Sequence, residues 1–207
     1  MMNADDAILF PSIADGLADA GFAVVDKFLD ARAVDAILGE DVFVHHRLHF
    51  HKAGIGKVDK QIHEGLRGDY IQWIDPATAP PAEQSYLRRL RTLLTFLNQS
   101  LYLSLKDVEI HRTVYPIGTR YVRHRDQFRS DDHRKLSLIC YLNTHWKPEE
   151  GGQLRLYLPG ETRDILPEAG RLVCFRSDLL EHEVLPATRE RFSLTGWALD
   201  RAPELPV

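Results

Sequence analysis

Two histidines and an aspartate have the types and spacing of a mononuclear metal site. His124 and Asp126 form an H-x-D sequence, so both side chains lie on one face of a strand or of its end. His182 follows further along, beside another apolar segment. Two imidazoles and one carboxylate are the ligand set of non-haem Fe(II), which leaves adjacent positions open for substrate and oxygen. The tripeptide alone is weak evidence, because it occurs often by chance.

A predicted buried arginine strengthens this interpretation. If the segment RFSLTGW is a strand, Phe192 and Leu194 face the core. The alternate residues, which are Arg191, Ser193, Thr195 and Trp197, then face a cavity. A charge in a cavity requires an anion, and a guanidinium binds a carboxylate through two parallel hydrogen bonds. The segment KLSLICYLN directs the hydroxyls of Ser137 and Tyr141 toward the same cavity. Fe(II), Asp126, Arg191 and a bound 2-oxo dicarboxylate together carry no net charge, as a dry site requires.

The elements that position these residues are short strands in the second half of the chain. From Val108 onward, apolar runs are broken by Gly, Pro and Asn, which predicts a β-sandwich or barrel. Helices are predicted over residues 10–20, with Pro11 in the first turn, after an Asp30 cap, and from about Pro81 to Leu103. The sequence therefore predicts one α+β, mainly β domain over residues 1–207. Supporting helices occupy about 1–104 and pack on one sheet, and the β core occupies about 105–200.

Composition excludes several function classes. The 207 residues carry a net charge of −4 without blocks of like charge, which disfavours nucleic acid as the main partner. No signal peptide and no transmembrane run is predicted, so we expect a cytoplasmic protein with no membrane partner. The two cysteines, Cys140 and Cys174, lie in apolar runs and are predicted to be buried thiols.

The segments around these residues resemble the 2-oxoglutarate- and Fe(II)-dependent dioxygenases. That family has an H-x-D, a distal His and an Arg nine residues later. The strings VYPIGTRYVRHRD, LICYLNTHW, GGQLRLY and SDLLEHEVLPATRERFSLTGW are similar to the prolyl 4-hydroxylases of the hypoxia-inducible-factor type and their bacterial relatives. LRGDYIQWI at 66–74 extends the resemblance, which covers roughly residues 20–200.

The resemblance implies a double-stranded β-helix, or jelly roll, with a defined cofactor site. His124, Asp126 and His182 are expected to hold iron, and Arg191 and Tyr141 to bind the distal carboxylate of 2-oxoglutarate. Other expected cofactor residues are Tyr115, Ser137 and Thr195. O2 is the second cosubstrate, and ascorbate is expected to stimulate the reaction.

The resemblance also implies a protein substrate, hydroxylated on a prolyl residue at C4 with trans stereochemistry. A mobile finger, here about residues 53–67, closes over the target in relatives. Expected substrate residues are Trp197, Arg67, Asp69, Tyr121 and Arg134, with Arg67 and Asp69 forming a pair. Elongation factor Tu is the first candidate partner, because bacterial members of this branch are associated with it. A monomer is expected.

Alternatives remain open from the sequence. An enzyme of the same fold could act on a free amino acid or another small molecule, although the long 41–67 segment suits an extended peptide. A silent binding module is disfavoured by the complete set of metal and carboxylate residues. The cluster of His45, His46, His49 and His51 is interpreted as solvated or structural, because no further ligand accompanies it. The arginines around the metal entrance indicate either a solvated loop or a basic collar for an acidic substrate.

Overall fold

Two antiparallel sheets form the body of the protein. The computed structural model describes residues 4–54, 67–127 and 132–202. Its strands are β1 (Phe22–Val25), β2 (His51–Lys52), β3 (Tyr70–Trp73), β4 (Asp107–Tyr115), β5 (Tyr121–His124), β6 (Arg134–Tyr141), β7 (Leu154–Leu158), β8 (Glu161–Ile165), β9 (Leu172–Arg176), β10 (Glu181–Val184) and β11 (Arg191–Leu199). The larger sheet has the order β1-β9-β6-β11-β4-β3-β2, and the smaller one has the order β5-β10-β7-β8.

This strand order is that of a double-stranded β-helix. From β4 onward the chain crosses repeatedly between the sheets, so that β4, β6, β9 and β11 lie side by side in the larger sheet. The smaller sheet consists of the remaining four strands, β5, β7, β8 and β10. Strands β1, β2 and β3 extend the larger sheet at its two ends. The predicted jelly-roll fold is confirmed.

Helices cover the outer face of the larger sheet, as predicted. They are α1 (Asp6–Asp19), α2 (Ala31–Leu38), α3 (Asp41–Val44), α4 (His46–His49) and α5 (Pro81–Leu101). The alternation predicted for β6 is present, because Leu136, Leu138 and Cys140 pack in the core on the helix side. Ile139 and Tyr141 face the space between the sheets. Each sheet face therefore has its own apolar cluster, and only the inner face can line a cavity.

The first helix begins earlier than the sequence predicts. It starts at Asp6, so Pro11 lies inside the helix rather than in its first turn. Asp6 is buried and accepts a hydrogen bond from Arg89 Nε of α5 at 2.7 Å. This long-range ion pair anchors the early turn, which local sequence signals do not reveal.

Three further points concern the end of helix α5, the segment 41–66 and a strand that the sequence did not predict. Helix α5 ends at Leu101 rather than Leu103, because Tyr102 takes a left-handed conformation with φ 55°. The segment 41–66 contains α3, α4 and β2, and most of the expected finger at 53–67 lies outside the described residues. Strand β8 was not predicted, because its sequence ETRDI is polar and four of its five residues are exposed at a sheet edge.

Both cysteines are buried and free, which confirms their interpretation as core thiols. Burial raises the pKa of Cys174 to about 12, so this thiol is protonated at neutral pH. Within the described ranges, no helix combines the length and apolarity needed to cross a membrane.

Candidate active site

A cavity between the two sheets collects most of the residues singled out from the sequence. Its walls come from β4, β6 and β11 of the larger sheet and from β5, β7 and β10 of the smaller one, together with residues just before β3. Among the residues that line it are His124, Asp126, His182, Arg191, Tyr115, Tyr141, Thr195, Trp197, Arg67, Asp69 and Tyr121.

Strand pairing places the two histidines side by side. His182 on β10 lies directly opposite His124 on β5, with ring centroids 4.2 Å apart. Asp126 follows β5 by two residues and returns its carboxylate to the pair. Asp126 Oδ1 lies 3.4 Å from His124 Nε2 and 3.7 Å from His182 Nε2. Ligand atoms of all three side chains lie within 4.8 Å of one another, which is close enough to share one ion.

Contacts on the far sides of His124 and Asp126 fix the orientation of these two ligands. His124 Nδ1 lies 2.7 Å from the carbonyl oxygen of Val122 and donates to it, so Nε2 is the ring nitrogen directed at Asp126. Ser137 Oγ donates to Asp126 Oδ2 at 2.6 Å and also contacts Ser177 Oγ at 2.9 Å. Asp126 Oδ1 is therefore the oxygen directed at the histidines.

The protonation states fit a metal site. Burial acts to raise the pKa of Asp126, but His182, His124 and the Ser137 hydroxyl hold it well below its usual range. Burial lowers the pKa of His182 to about 4, so its imidazole is neutral. A carboxylate and neutral imidazoles are the forms that bind a metal, and two His with one carboxylate suit Fe(II). The residues therefore fit the iron that the sequence predicts.

The second part of the site is a buried guanidinium. Arg191 is 3% exposed at the start of β11, and its Nη1 donates to the Gly152 carbonyl oxygen at 2.7 Å. Its Nε finds no hydrogen-bond partner in the described part of the chain. The Arg191 guanidinium carbon lies 4.3 Å from the ring centroid of Tyr115 and 5.7 Å from that of Tyr141. A buried cation with a free donor fits a ligand carboxylate, such as the distal one of 2-oxoglutarate.

The two tyrosines remain protonated donors. Burial raises the pKa of Tyr115 and of Tyr141 above the usual range. Further polar groups of this wall are Ser193 and Thr195, whose hydroxyls lie 3.0 Å apart. Ser137 is placed differently from these residues, because its hydroxyl contacts Asp126 instead of lining the cavity. Its position therefore suits orientation of a metal ligand better than contact with the cosubstrate.

Four of the expected substrate residues line the same cavity as the metal ligands, whereas Arg134 is not among the lining residues. Arg67 and Asp69 form a two-pronged ion pair with distances of 2.6 and 2.8 Å. The Arg67 guanidinium lies over the ring of Tyr121, which in turn stacks on His124 at 3.6 Å between centroids. A contact chain thus runs from the residues before β3 to a metal ligand. Burial raises the pKa of Tyr121 to about 12.

The arginines near the entrance are largely neutralised by partners. Arg134 lies 3.4 Å above the ring centroid of Trp197 and bonds Glu109 at 3.0 Å. Arg123 pairs with Glu181. These pairs weaken the basic-collar interpretation for the residues that the structure describes.

The histidine cluster after α2 does not form a comparable site. Asp41 contacts His45 at 2.8 Å and His49 at 3.4 Å, and all three are substantially exposed. Among the described residues, the His124, Asp126 and His182 set is the one group of three ligand-type side chains close enough to hold a metal.

Two polar cavity residues were missed in the sequence. His111 and Thr113 lie on β4 and line the cavity together with Tyr115. Strand alternation in VEIHRTVY places the three on one face, so this pattern could have found them.

The sequence is similar to one protein family and to several known prolyl hydroxylases. The 2OG-Fe(II) oxygenase superfamily matches residues 110–199. A hypoxia-inducible factor prolyl hydroxylase of Caenorhabditis elegans is 32% identical over 90% of this chain, which spans 27% of that relative. Prolyl hydroxylase EGLN3 of Mus musculus is 30% identical over 94% of this chain and 85% of its own length.

Solved structures agree with this grouping. A prolyl-4-hydroxylase of Pseudomonas putida is 41% identical, with a TM-score of 0.84 over 93% of this chain and 100% of the other. A prolyl hydroxylase of Trichoplax adhaerens, in complex with a hypoxia-inducible factor peptide fragment, is 26% identical. Its TM-score is 0.84 over 93% of this chain and 90% of its own.

Proposed function

The chain belongs to the prolyl hydroxylases of the 2OG-Fe(II) oxygenase superfamily, and on that premise we propose that it hydroxylates a prolyl residue of a protein substrate. The products are the hydroxyprolyl residue, expected at C4 with trans stereochemistry, together with succinate and CO2. The observation that carries the proposal is the convergence of His124, Asp126 and His182 with the buried Arg191 in one cavity.

The cofactors of this superfamily are Fe(II), 2-oxoglutarate and O2. When bound, they supply the oxidation of an unactivated C–H bond, which side chains alone cannot perform. His124, Asp126 and His182 would hold the iron. Arg191, Tyr115 and Tyr141 would hold the distal carboxylate of 2-oxoglutarate. Ascorbate stimulation stays a prediction.

The chain's own contribution is orientation and exclusion of water. Ser137 fixes which oxygen of Asp126 faces the metal position, and the Val122 carbonyl fixes the tautomer of His124. Leu154, Ile139 and Val184 close the apolar side of the cavity, which strengthens the charge interactions inside it. Ser193 and Thr195 add hydroxyls along the cavity wall, with Ser193 nearer to Arg191 and Thr195 opposite His111.

The substrate side is assigned to the residues around the contact chain. We assign Trp197, Arg67, Asp69 and Tyr121 to the binding of the polypeptide, with Arg134 supporting Trp197 through its contact with the indole ring. The Trichoplax relative was solved with a peptide fragment, which supports a polypeptide substrate here. Elongation factor Tu is the first candidate, and as its modifier the enzyme would act in the cytoplasm as a single-domain monomer.

Mass spectrometry of elongation factor Tu tests the proposal. The protein is incubated with the purified enzyme, Fe(II), ascorbate and 2-oxoglutarate, with His124→Ala and omission of 2-oxoglutarate as controls. One added oxygen on a proline, absent from both controls, supports reaction and partner together. Turnover stimulated by other proline-containing proteins retains the reaction and rejects the partner. Turnover with free amino acids alone rejects the protein substrate.

A further inference from the structure

The active-site cavity holds an imidazole that the reaction described above does not use. His111, on β4, is 1% exposed, and neither of its ring nitrogens meets a hydrogen-bond partner within the described ranges. The indole nitrogen of Trp197 is buried and unpartnered in the same way. The His111 and Trp197 rings stack with centroids 5.6 Å apart and planes at 24°. Trp73 also contacts His111, with ring centroids 4.9 Å apart, and its ring lies 6.4 Å from that of Trp197.

Unpartnered polar atoms in a core are costly, because each has lost its water without gaining a partner. Three such atoms on two stacked rings in one cavity therefore indicate a ligand. Burial lowers the pKa of His111 well below its usual range, and the charges of Arg67 and Arg134 act in the same direction. The neutral ring offers one donor and one acceptor, and the Trp197 indole offers a second donor.

Strand geometry separates this subsite from the cosubstrate. Tyr115 lies opposite Arg191, whereas His111 lies opposite Thr195, four residues along β4. At roughly 3.4 Å per residue, the two positions on the strand are about 14 Å apart. A five-carbon dicarboxylate anchored at Arg191 is shorter than that distance. His111 therefore faces the part of the cavity occupied by the substrate.

We propose that His111, together with the indole N–H of Trp197, binds a backbone peptide unit of the polypeptide substrate beside the target proline. A peptide unit carries one C=O and one N–H, which match the donors and the acceptor of this subsite. The inference rests on the proposed function, because it requires a polypeptide in the cavity.

Stability measurements test whether His111 serves the substrate or the fold. His111→Met fills a similar volume without polar atoms, so its Tm is expected to rise by about 2–4 °C, as for removal of one buried unpartnered group. Tyr86→Phe is the matched control, because the Tyr86 hydroxyl is also buried and unpartnered but lies in the core on the helix side. A Tm below that of the wild type for His111→Met would overturn the proposal, since His111 would then stabilise the fold.

Substrate measurements complete the test. The probes are purified elongation factor Tu and a dialysed bacterial protein extract, assayed for hydroxyproline. His111→Met is expected to raise the half-saturating substrate concentration about tenfold, as for a lost hydrogen-bonding partner. The dissociation constant of 2-oxoglutarate, measured by calorimetry without turnover, should stay within about twofold. His111→Gln should restore most of the loss, because its amide offers a donor and an acceptor, and Tyr86→Phe should behave as wild type.

The outcomes separate this inference from the proposed function. If the wild type forms no hydroxyproline with either probe, the proposed function fails and the inference fails with it. If the wild type forms hydroxyproline and His111→Met has an unchanged half-saturating concentration, the inference alone is wrong. A parallel loss of 2-oxoglutarate affinity would also overturn it, because His111 would then belong to the cosubstrate site.

Discussion

Single residues outside the ligand set control the metal site. Asp126 has two oxygens, and one of them is occupied by the Ser137 hydroxyl at 2.6 Å. The other oxygen faces His124 and His182. Without the hydroxyl, the carboxylate could rotate, and its charge would lose a buried partner.

Ser137→Ala is expected to weaken Fe(II) binding by about 10–100-fold, the usual effect of removing a partner of a metal ligand. Anaerobic titration with Fe(II) measures this directly. Ser100→Ala is the control, since Ser100 is exposed at the end of α5. Equal Fe(II) affinity in Ser137→Ala and wild type would show that the Ser137 contact does not orient Asp126.

The carboxylate anchor gives a second residue-scale prediction. Arg191→Lys replaces a planar donor fork by a single ammonium, so the 2-oxoglutarate dissociation constant is expected to rise at least about tenfold. Calorimetry on the Fe(II)-loaded variant measures it. Arg189→Lys is a matched control in the same segment, because Arg189 bonds Glu150 and the Thr144 carbonyl outside the cavity. An unchanged constant in Arg191→Lys would place the cosubstrate elsewhere.

For single residues, the sequence predicted which side chains face the cavity better than it predicted which side chains contact one another. Strand alternation placed Arg191, Ser193 and Thr195 correctly on the cavity face, because a two-residue period depends on local geometry alone. The same pattern placed Ser137 on the inner face but could not show that its partner is Asp126, since that contact joins β6 of the larger sheet to the residues that follow β5 of the smaller sheet. His111 was not predicted as a cavity residue, although the alternation along β4 places it on the same face as Tyr115.

Two ion pairs join helix α5 to strand β4, and they differ strongly in burial. Arg112 on β4 bonds Glu83 on α5 with Nε to Oε1 at 2.6 Å, and both side chains are almost fully buried. Arg91 on α5 bonds Asp107 on β4 at 2.8 Å, but this pair is partly exposed. The two pairs join the same helix to the same strand, so they form a natural comparison.

Arg112→Met is expected to lower the free energy of unfolding by about 3–5 kcal/mol, because it leaves a buried carboxylate without its cation. Arg91→Met should lower it by less than about 1 kcal/mol. Burial already raises the pKa of Glu83 despite Arg112. A raised carboxyl pKa in the folded state favours the neutral form, so the loss should shrink as pH falls. Urea unfolding measures both variants, and equal losses would contradict this account.

The contact chain before β3 gives the other element-scale prediction. Asp69 is 1% exposed and holds Arg67, which covers Tyr121 and through it His124. Asp69→Asn is expected to raise the half-saturating concentration of the protein substrate about tenfold, since Arg67 loses a charged partner. Steady-state hydroxylation assays measure it, with the more exposed Asp75→Asn as control. If both variants had the same half-saturating concentration as the wild type, this role of Asp69 would be contradicted.

Elements with a strong apolar period were predictable, and those held by distant contacts were not. Helix α5 was found within two residues of its end, because its leucines repeat at helical spacing. The early start of α1 depends on Arg89, which is 83 residues away from Asp6. Strand β8 has no apolar period, because it is an exposed edge strand stabilised by pairing with β7.

At the scale of the whole molecule, the two sheets bring together ligands that are far apart in sequence. His124 ends β5 and Asp126 follows it by two residues. His182 lies on β10, which pairs with β5 in the smaller sheet. Arg191 enters from the larger sheet through its pairing with β4 and approaches the same cavity. The fold class was predictable from the run of short strands, but this convergence was predictable only through the family resemblance.

Isotope labelling tests the central claim, which is that this assembly oxygenates a protein at proline. The enzyme is incubated under ¹⁸O₂ with Fe(II), 2-oxoglutarate and a bacterial protein extract supplemented with elongation factor Tu. We predict one ¹⁸O atom in a hydroxyprolyl residue and one in succinate, with His182→Ala giving neither. Labelled succinate without labelled hydroxyproline on any protein would contradict the account, because the oxygen would then be transferred to a different class of substrate.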